Sequence, residues 1–146
     1  MSSIRNIKNS FNTPEMFAVF SECMFMPTWE NFTSKAKDFI NQTTISIFGW
    51  FIGDLIVGII VVDKLSDEKT EIKGIAVDVG HRKHGIGKQL VQYVCLNLSL
   101  SILYAETDDD AILFYKRCGF ETEEFIKIIN DGEYKRYKCT LCTSKS

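Results

Sequence analysis

One stretch of this chain constrains its architecture more than any other. Thr70 to Asp78 is rich in β-branched residues and reads as a strand. It runs into a turn, Val79 to Lys88, that carries Gly80, Gly85 and Gly87 among His81, Arg82, Lys83, His84 and Lys88. Ile86, Leu90, Val91, Val94, Cys95 and Leu98 then recur at helical spacing, and Leu100 to Glu106 reads as the next strand. Two strands joined through a helix cannot form a hairpin, so they lie parallel with a right-handed crossover. An all-helical or all-strand architecture is thereby excluded.

The flanking segments extend this unit. Ile4 and Ile7 mark a short first strand, and Thr13 caps a helix with Pro14 at its first position and Met16, Val19, Phe20 and Cys23 on one face, stopped by Pro27. Trp29, Phe32, Ala36, Phe39 and Ile40 mark a second helix. Thr43 to Ile52 and Leu55 to Asp63 are strands joined at Gly53-Asp54 in a tight hairpin. After Glu106 a helix begins around Asp108 to Asp110 and carries Ala111, Phe114, Tyr115 and Cys118, with Gly119 at its stop. Phe120 to Ile128 and Glu133 to Leu141 are the last strands, about an Asn130-Asp131-Gly132 turn. The order β-α-α-β-β-β-α-β-α-β-β gives an α/β fold: a mixed sheet flanked by helices, in one domain over residues 1–146.

Charge and cysteine usage narrow the function. Seventeen Lys and Arg against 19 Asp and Glu leave a net charge of −2, without the overall positive field of a nucleic-acid binder, so any anion site is local. The longest apolar run lies within Leu55 to Val62, far short of the roughly 20 residues a membrane helix needs. Cys23, Cys95, Cys118, Cys139 and Cys142 are scattered and odd in number, and no secretory leader opens the sequence, so a reduced, cytoplasmic protein is expected. Cys139 and Cys142 form a lone C-x-x-C with no second ligand pair; free thiols and no metal are expected.

The basic turn is where the chemistry concentrates. First-turn N–H groups of a helix lack intrahelical acceptors, the dipole favours an anion, and glycine lets a phosphate approach the backbone. A Walker A loop ending at Lys88 would need glycine at Arg82 and Ser or Thr at Gln89, and a dinucleotide fingerprint from Gly85 would need glycine at Leu90. Both fail. The alternative without function is a solvated basic turn at a helix start.

Arg82-Lys83-His84-Gly85-Ile86-Gly87 does fit R-x-x-G-x-G, and Ala111 to Phe120 fits A-x-x-F-Y-x-x-x-G-F. Together, in this order and with a strand between them, the two motifs resemble the GCN5-related N-acetyltransferase (GNAT) family, in detail over residues 71–120 and in element order over most of the rest. The resemblance implies that acetyl-CoA is the acyl donor. It implies that its pyrophosphate lies on the loop Arg82, Lys83, His84, Gly85, Ile86, Gly87 and Lys88, and that its pantetheine arm pairs with the strand at Ile75, Ala76 and Val77. Tyr115 takes the place of the tyrosine that protonates the departing thiolate; without the resemblance it reads as a core aromatic. Glu71 looks like the base of some members, and Glu106 is a rival near the same sheet edge; for either, a solvated strand-end carboxylate is the alternative. Where the family commonly has asparagine three residues before the helix alanine, this chain has Asp108, suited to a helix cap.

The activity so implied is N-acetyl transfer to a primary amine, of a small molecule or a peptide, by direct attack in a ternary complex. No G-x-S-x-G or other nucleophile motif asks for a covalent intermediate. The alternative is a non-catalytic acyl-CoA-binding or sensing module. Neither nucleic acid nor membrane is expected as a partner; a homodimer is left open.

Overall fold

The computed structural model describes Met1–Thr143. Its elements follow the expected order: β1 (Ser2–Asn6), α1 (Pro14–Phe20), α2 (Trp29–Asn41), β2 (Ile45–Ile52), β3 (Leu55–Lys64), β4 (Lys69–Val77), α3 (Ile86–Asn97), β5 (Ile102–Thr107), α4 (Ile112–Arg117), β6 (Glu121–Ile129) and β7 (Gly132–Cys142). The strands form one mixed sheet in the order β1-β2-β3-β4-β5-β7-β6. Only β4 and β5 are parallel, as their helical connection requires. No helix among the described residues is long and apolar enough to cross a membrane.

Caps set the two N-terminal helices. The Thr13 and Thr28 hydroxyls accept from Met16 N at 3.3 Å and Asn31 N at 3.1 Å, satisfying first-turn donors. The α2 face Phe32, Ala36 and Phe39 then meets Phe11 and Phe20 over Ile47, Ile59 and Val61. On the other side of the sheet, Leu90, Val91 and Val94 of α3 and Tyr115 of α4 cover Ile60, Val62, Leu103 and Ala105. β3 is apolar on both faces because helices cover both.

Three boundaries differ from the sequence reading. α1 gives way at Ser21 to a single 3₁₀ turn ending at Cys23, before Pro27 is reached. α4 starts at Ile112, because the Asp108 carboxylate takes the N–H groups of Asp110 and Ala111 at 3.0 and 3.3 Å and holds that segment as a turn. In the last hairpin the positive φ values fall on Asn130 (49°) and Asp131 (66°), both tolerant of that region, and Gly132 already opens β7.

Candidate functional site

The seam between β4 and β5 closes at one end and opens at the other. Their parallel pairing covers Lys69↔Ile102, Thr70↔Leu103 and Glu71↔Tyr104 and then stops, although β4 runs on to Val77 and β5 to Thr107. A bulge explains the parting. β4 pairs Ile72 with Val62 and Gly74 with Val61, so Lys73 is an extra residue, and an extra residue bends and twists its strand. Helix α1 fits over the bent stretch because residue 74 is glycine: a Cβ there would lie 2.6 Å from the Phe20 ring. Beyond Glu71, β4 turns toward β5 an edge of backbone groups with no strand beside it, and Ile75, Ala76 and Val77 lie on that edge.

The basic turn follows at once. Asp78 accepts from Gly80 N at 3.2 Å and meets His81 Nδ1 at 2.9 Å, forming a 3₁₀ turn that redirects the chain. Lys83 and Gly85 have φ of 71° and 76°, which curls the loop into the first turn of α3. At Gly85 a side chain would meet nothing within 4 Å, so this position is open to a ligand. Gly87 serves a second purpose: a Cβ there would be 2.7 Å from the Phe114 ring, so its smallness lets α4 pack against α3. Lys83, His84 and Lys88 are exposed and Ile86 anchors the helix in the core. Arg82 points elsewhere. Its Nε donates to Val77 O at 3.1 Å and its Nη2 to Glu22 Oε1 at 2.9 Å, bracing the loop against the end of β4 and the turn after α1.

The two carboxylates occupy different parts of the seam. Glu71 sits in its last closed pair, beside Lys73 at 3.6 Å. Glu106 is two residues past Tyr104, level with the bulge, where the strands have parted. Tyr104 OH donates to Glu106 Oε2 at 3.1 Å and Lys127 Nζ lies 3.5 Å from Oε1. Burial first, and then the bond to Glu106, pushes the Tyr104 phenol up to about 12, keeping it a donor. Glu71, Tyr104 and Glu106 share the sheet face opposite Leu103 and Ala105, which α1 and α2 leave uncovered over β5, β7 and β6. A hollow there, about 450 Å³, is lined by Lys69, Tyr104, Glu123 and Lys138 among others and lies toward the closed end of the seam, away from the glycine turn.

Tyr115 approaches from the other face. It is 5% exposed, with the Phe114 and Phe120 rings edge-on at 5.2 Å. Burial raises its phenol well above the ordinary value, and Cys23, from across the sheet, is among the groups that further oppose its ionisation. A phenol so held keeps its proton and is a weaker acid than a free tyrosine.

Four participants carried no sequence signal of their own. Glu22 and Lys127 come from remote segments, and Tyr104 is exposed as a partner only by its register with Glu71. Cys23 is exposed as a residue, yet its sulfur turns inward, 3.4 Å from where a Gly74 Cβ would stand. Burial of that sulfur pushes the thiol up to about 12 against a weaker opposite pull from the Ile75 backbone.

A family model described as an acetyltransferase (GNAT) domain matches residues 46–122. The ribosomal-protein-S18-alanine N-acetyltransferase of Escherichia coli superposes with a TM-score of 0.77 at 18% identity, covering 100% of this chain and 96% of its own. A GNAT family acetyltransferase of Elizabethkingia anophelis with acetyl-CoA bound gives 0.69 at 20%, covering 97% of each chain. An acetyltransferase of Bacillus subtilis in complex with CoA gives 0.71 at 18%, covering 97% and 99%. At these identities the superpositions establish a shared fold.

Proposed function

The chain belongs to the GNAT acetyltransferase family, and from that premise we propose that it is an N-acetyltransferase moving an acetyl group from acetyl-CoA to a primary amine by direct attack. The observation that carries this reading is the β4 edge at Ile75 to Val77, which among the described residues has no strand beside it and only Arg82 and Cys23 touching its backbone, running straight into the glycine turn. An extended amide-bearing arm can add itself to such an edge as a strand would, while the phosphates it carries reach the N–H groups of Lys83 to Lys88. The exposed Lys83, His84 and Lys88 supply charge, and Arg82 holds the loop in place.

The acceptor comes from the open face. An alkylamine with a pKa of about 10.4 is almost wholly protonated near neutrality, so a proton leaves before attack. Glu106, level with the parting of the strands, takes it; Tyr104 holds the carboxylate in place. A backbone N–H on the open β4 edge steadies the negative charge that develops on the carbonyl oxygen. The Tyr115 phenol, kept protonated by burial, returns a proton to the departing sulfur from the opposite face. Separate faces for base and acid let the two groups act without neutralising each other. The acceptor is a small-molecule or peptide amine, and the cytoplasm, where thiols stay reduced, is the place of work.

Calorimetry with acetyl-CoA and a thiol-release assay over a panel of amines test the reading. Gly85→Asp should weaken acetyl-CoA by about tenfold or more, because it adds a negative charge to the phosphate cradle at a position where a Cβ meets no atom within 4 Å and where Asp tolerates the φ of 76° better than most residues. Tight binding with no turnover of any amine would assign the chain to non-catalytic acyl-CoA binding instead.

A further inference from the structure

The Lys127 ammonium lies beside Glu106, the carboxylate that the proposed function makes the base. Lys127 lies on β6, opposite Tyr134 of β7, and its Nζ reaches across β7 to Glu106 Oε1 at 3.5 Å. Nothing local brings the two together: they are 21 residues apart, with α4 between them. Lys73 beside Glu71 is different, a neighbour two positions along the same strand. The row of the face between Lys127 and Glu106 holds Arg136, opposite Phe125, and Arg136 Nε is buried without a hydrogen-bond partner. An ammonium is a donor only and can offer that N–H nothing, whereas an N-acetylated side chain carries a carbonyl acceptor.

From this juxtaposition we infer that Lys127 is a self-acetylation site, the enzyme's own first acceptor. The inference rests on the acetyltransferase reading above. Glu106 removes one proton from the Lys127 ammonium and releases it to solvent. The freed lone pair forms the N–C bond to the acetyl carbon as the C–S bond breaks, its electrons staying on sulfur. The nitrogen loses its second proton, and one proton returns to the thiolate through Tyr115, so the products are an amide, free CoA thiol and one proton. Because base and amine are held on one sheet, the reaction is intramolecular and gains from proximity. The amide is uncharged and no longer pairs with Glu106, leaving the carboxylate free for an external amine.

The test uses the whole protein, freed of acetyl-CoA. Carbodiimide, which joins a carboxylate to an amine in contact, should link Glu106 to Lys127 with no acetyl donor present; no link would overturn the contact and the inference with it. Incubation with acetyl-CoA and no added amine, followed by peptide mass mapping, should show one acetyl group on Lys127. Its rate should be unchanged by tenfold dilution of the protein, at least about 10²-fold slower in Glu106→Gln, and the modification absent in Lys127→Arg. The exposed Lys37 and Lys116 report uncatalysed acetylation in the same sample. Acetyl spread alike over Lys37, Lys116 and Lys127, or unaffected by Glu106→Gln, overturns the inference, and if added amines are turned over the transferase reading stands. If acetyl-CoA binds but neither Lys127 nor any amine is acetylated, the transferase reading itself fails.

Discussion

β3 and β7 are nearly equal in length, 10 and 11 residues, and are treated in opposite ways by the fold. β3 buries every residue from Ile56 to Val62, with α1 on one face and α3 on the other. β7 buries Cys139 alone. Its core-facing side packs toward α3 and α4, but its opposite side, with Lys138 and Arg136, looks out across a face that α1 and α2 do not reach. The β2-to-β4 part is therefore a closed sandwich, and the β5-β7-β6 part an open shelf. The proposed chemistry lies where one becomes the other, at the parted seam of β4 and β5. A closed part fixes positions to fractions of an ångström, and an open part lets an amine arrive.

If that division is right, the largest response should come from the closed part. Phe32 is fully buried among Phe11, Phe17, Phe20 and Trp29, so Phe32→Ala should cost about 3–5 kcal/mol in urea unfolding. Phe125→Ala, on the shelf beneath the Lys138 ammonium at 5.1 Å, should cost about 1 kcal/mol or less. Equal losses would mean that the shelf is load-sharing core.

At the seam, Glu106→Gln should lower kcat by about 10²- to 10⁴-fold, most at low pH where the amine holds its proton, and Glu71→Gln by less than about tenfold. The reverse ranking in steady-state kinetics would move the base into the closed end. Tyr115→Phe keeps the ring packing and removes one oxygen. With a poor acceptor, for which chemistry limits turnover, kcat should fall by about 10- to 10³-fold with acetyl-CoA affinity little changed. Unchanged kcat would return Tyr115 to a packing role.

The smallest effect belongs to Tyr104 on the shelf. Its folded pKa, about 12, lies above the unfolded value of about 10. The unfolded phenol therefore ionises first, and the stability it contributes is complete below about pH 10 and declines as pH rises toward 12. Denaturant midpoints of the wild type and Tyr104→Phe across that range should converge as pH rises; parallel curves would show that Tyr104 ionises freely.

Much of the scaffold was legible because its signals are local. Thr13-Pro14 caps and starts α1 wherever α1 lies, the Ile86-to-Leu98 spacing makes an amphipathic helix in any context, and β-branched runs extend. The strand-helix-strand unit then leaves one hand of crossover. The glycine turn was legible for the same reason, since its features belong to consecutive residues. Arg82 shows the limit: sequence places it in the loop, and only packing shows that its guanidinium is bound to Val77 and Glu22.

The alternation of Leu103 and Ala105 with Tyr104 and Glu106 assigns two faces to β5, but it cannot say which face is covered. That is decided by how far α1 and α2 extend over the sheet, which depends on Phe20 seating against Gly74, 54 residues away in the chain. Likewise Glu71 and Glu106 are equivalent strand-end carboxylates in the sequence. The bulge at Lys73 separates them, because one inserted residue against β3 ends the pairing with β5 after Glu71 and leaves Glu106 beside the gap. Local backbone preference thus determined the elements and the glycine turn, while strand register and helix seating, which are long-range packing outcomes, decided which side chains come together at the seam.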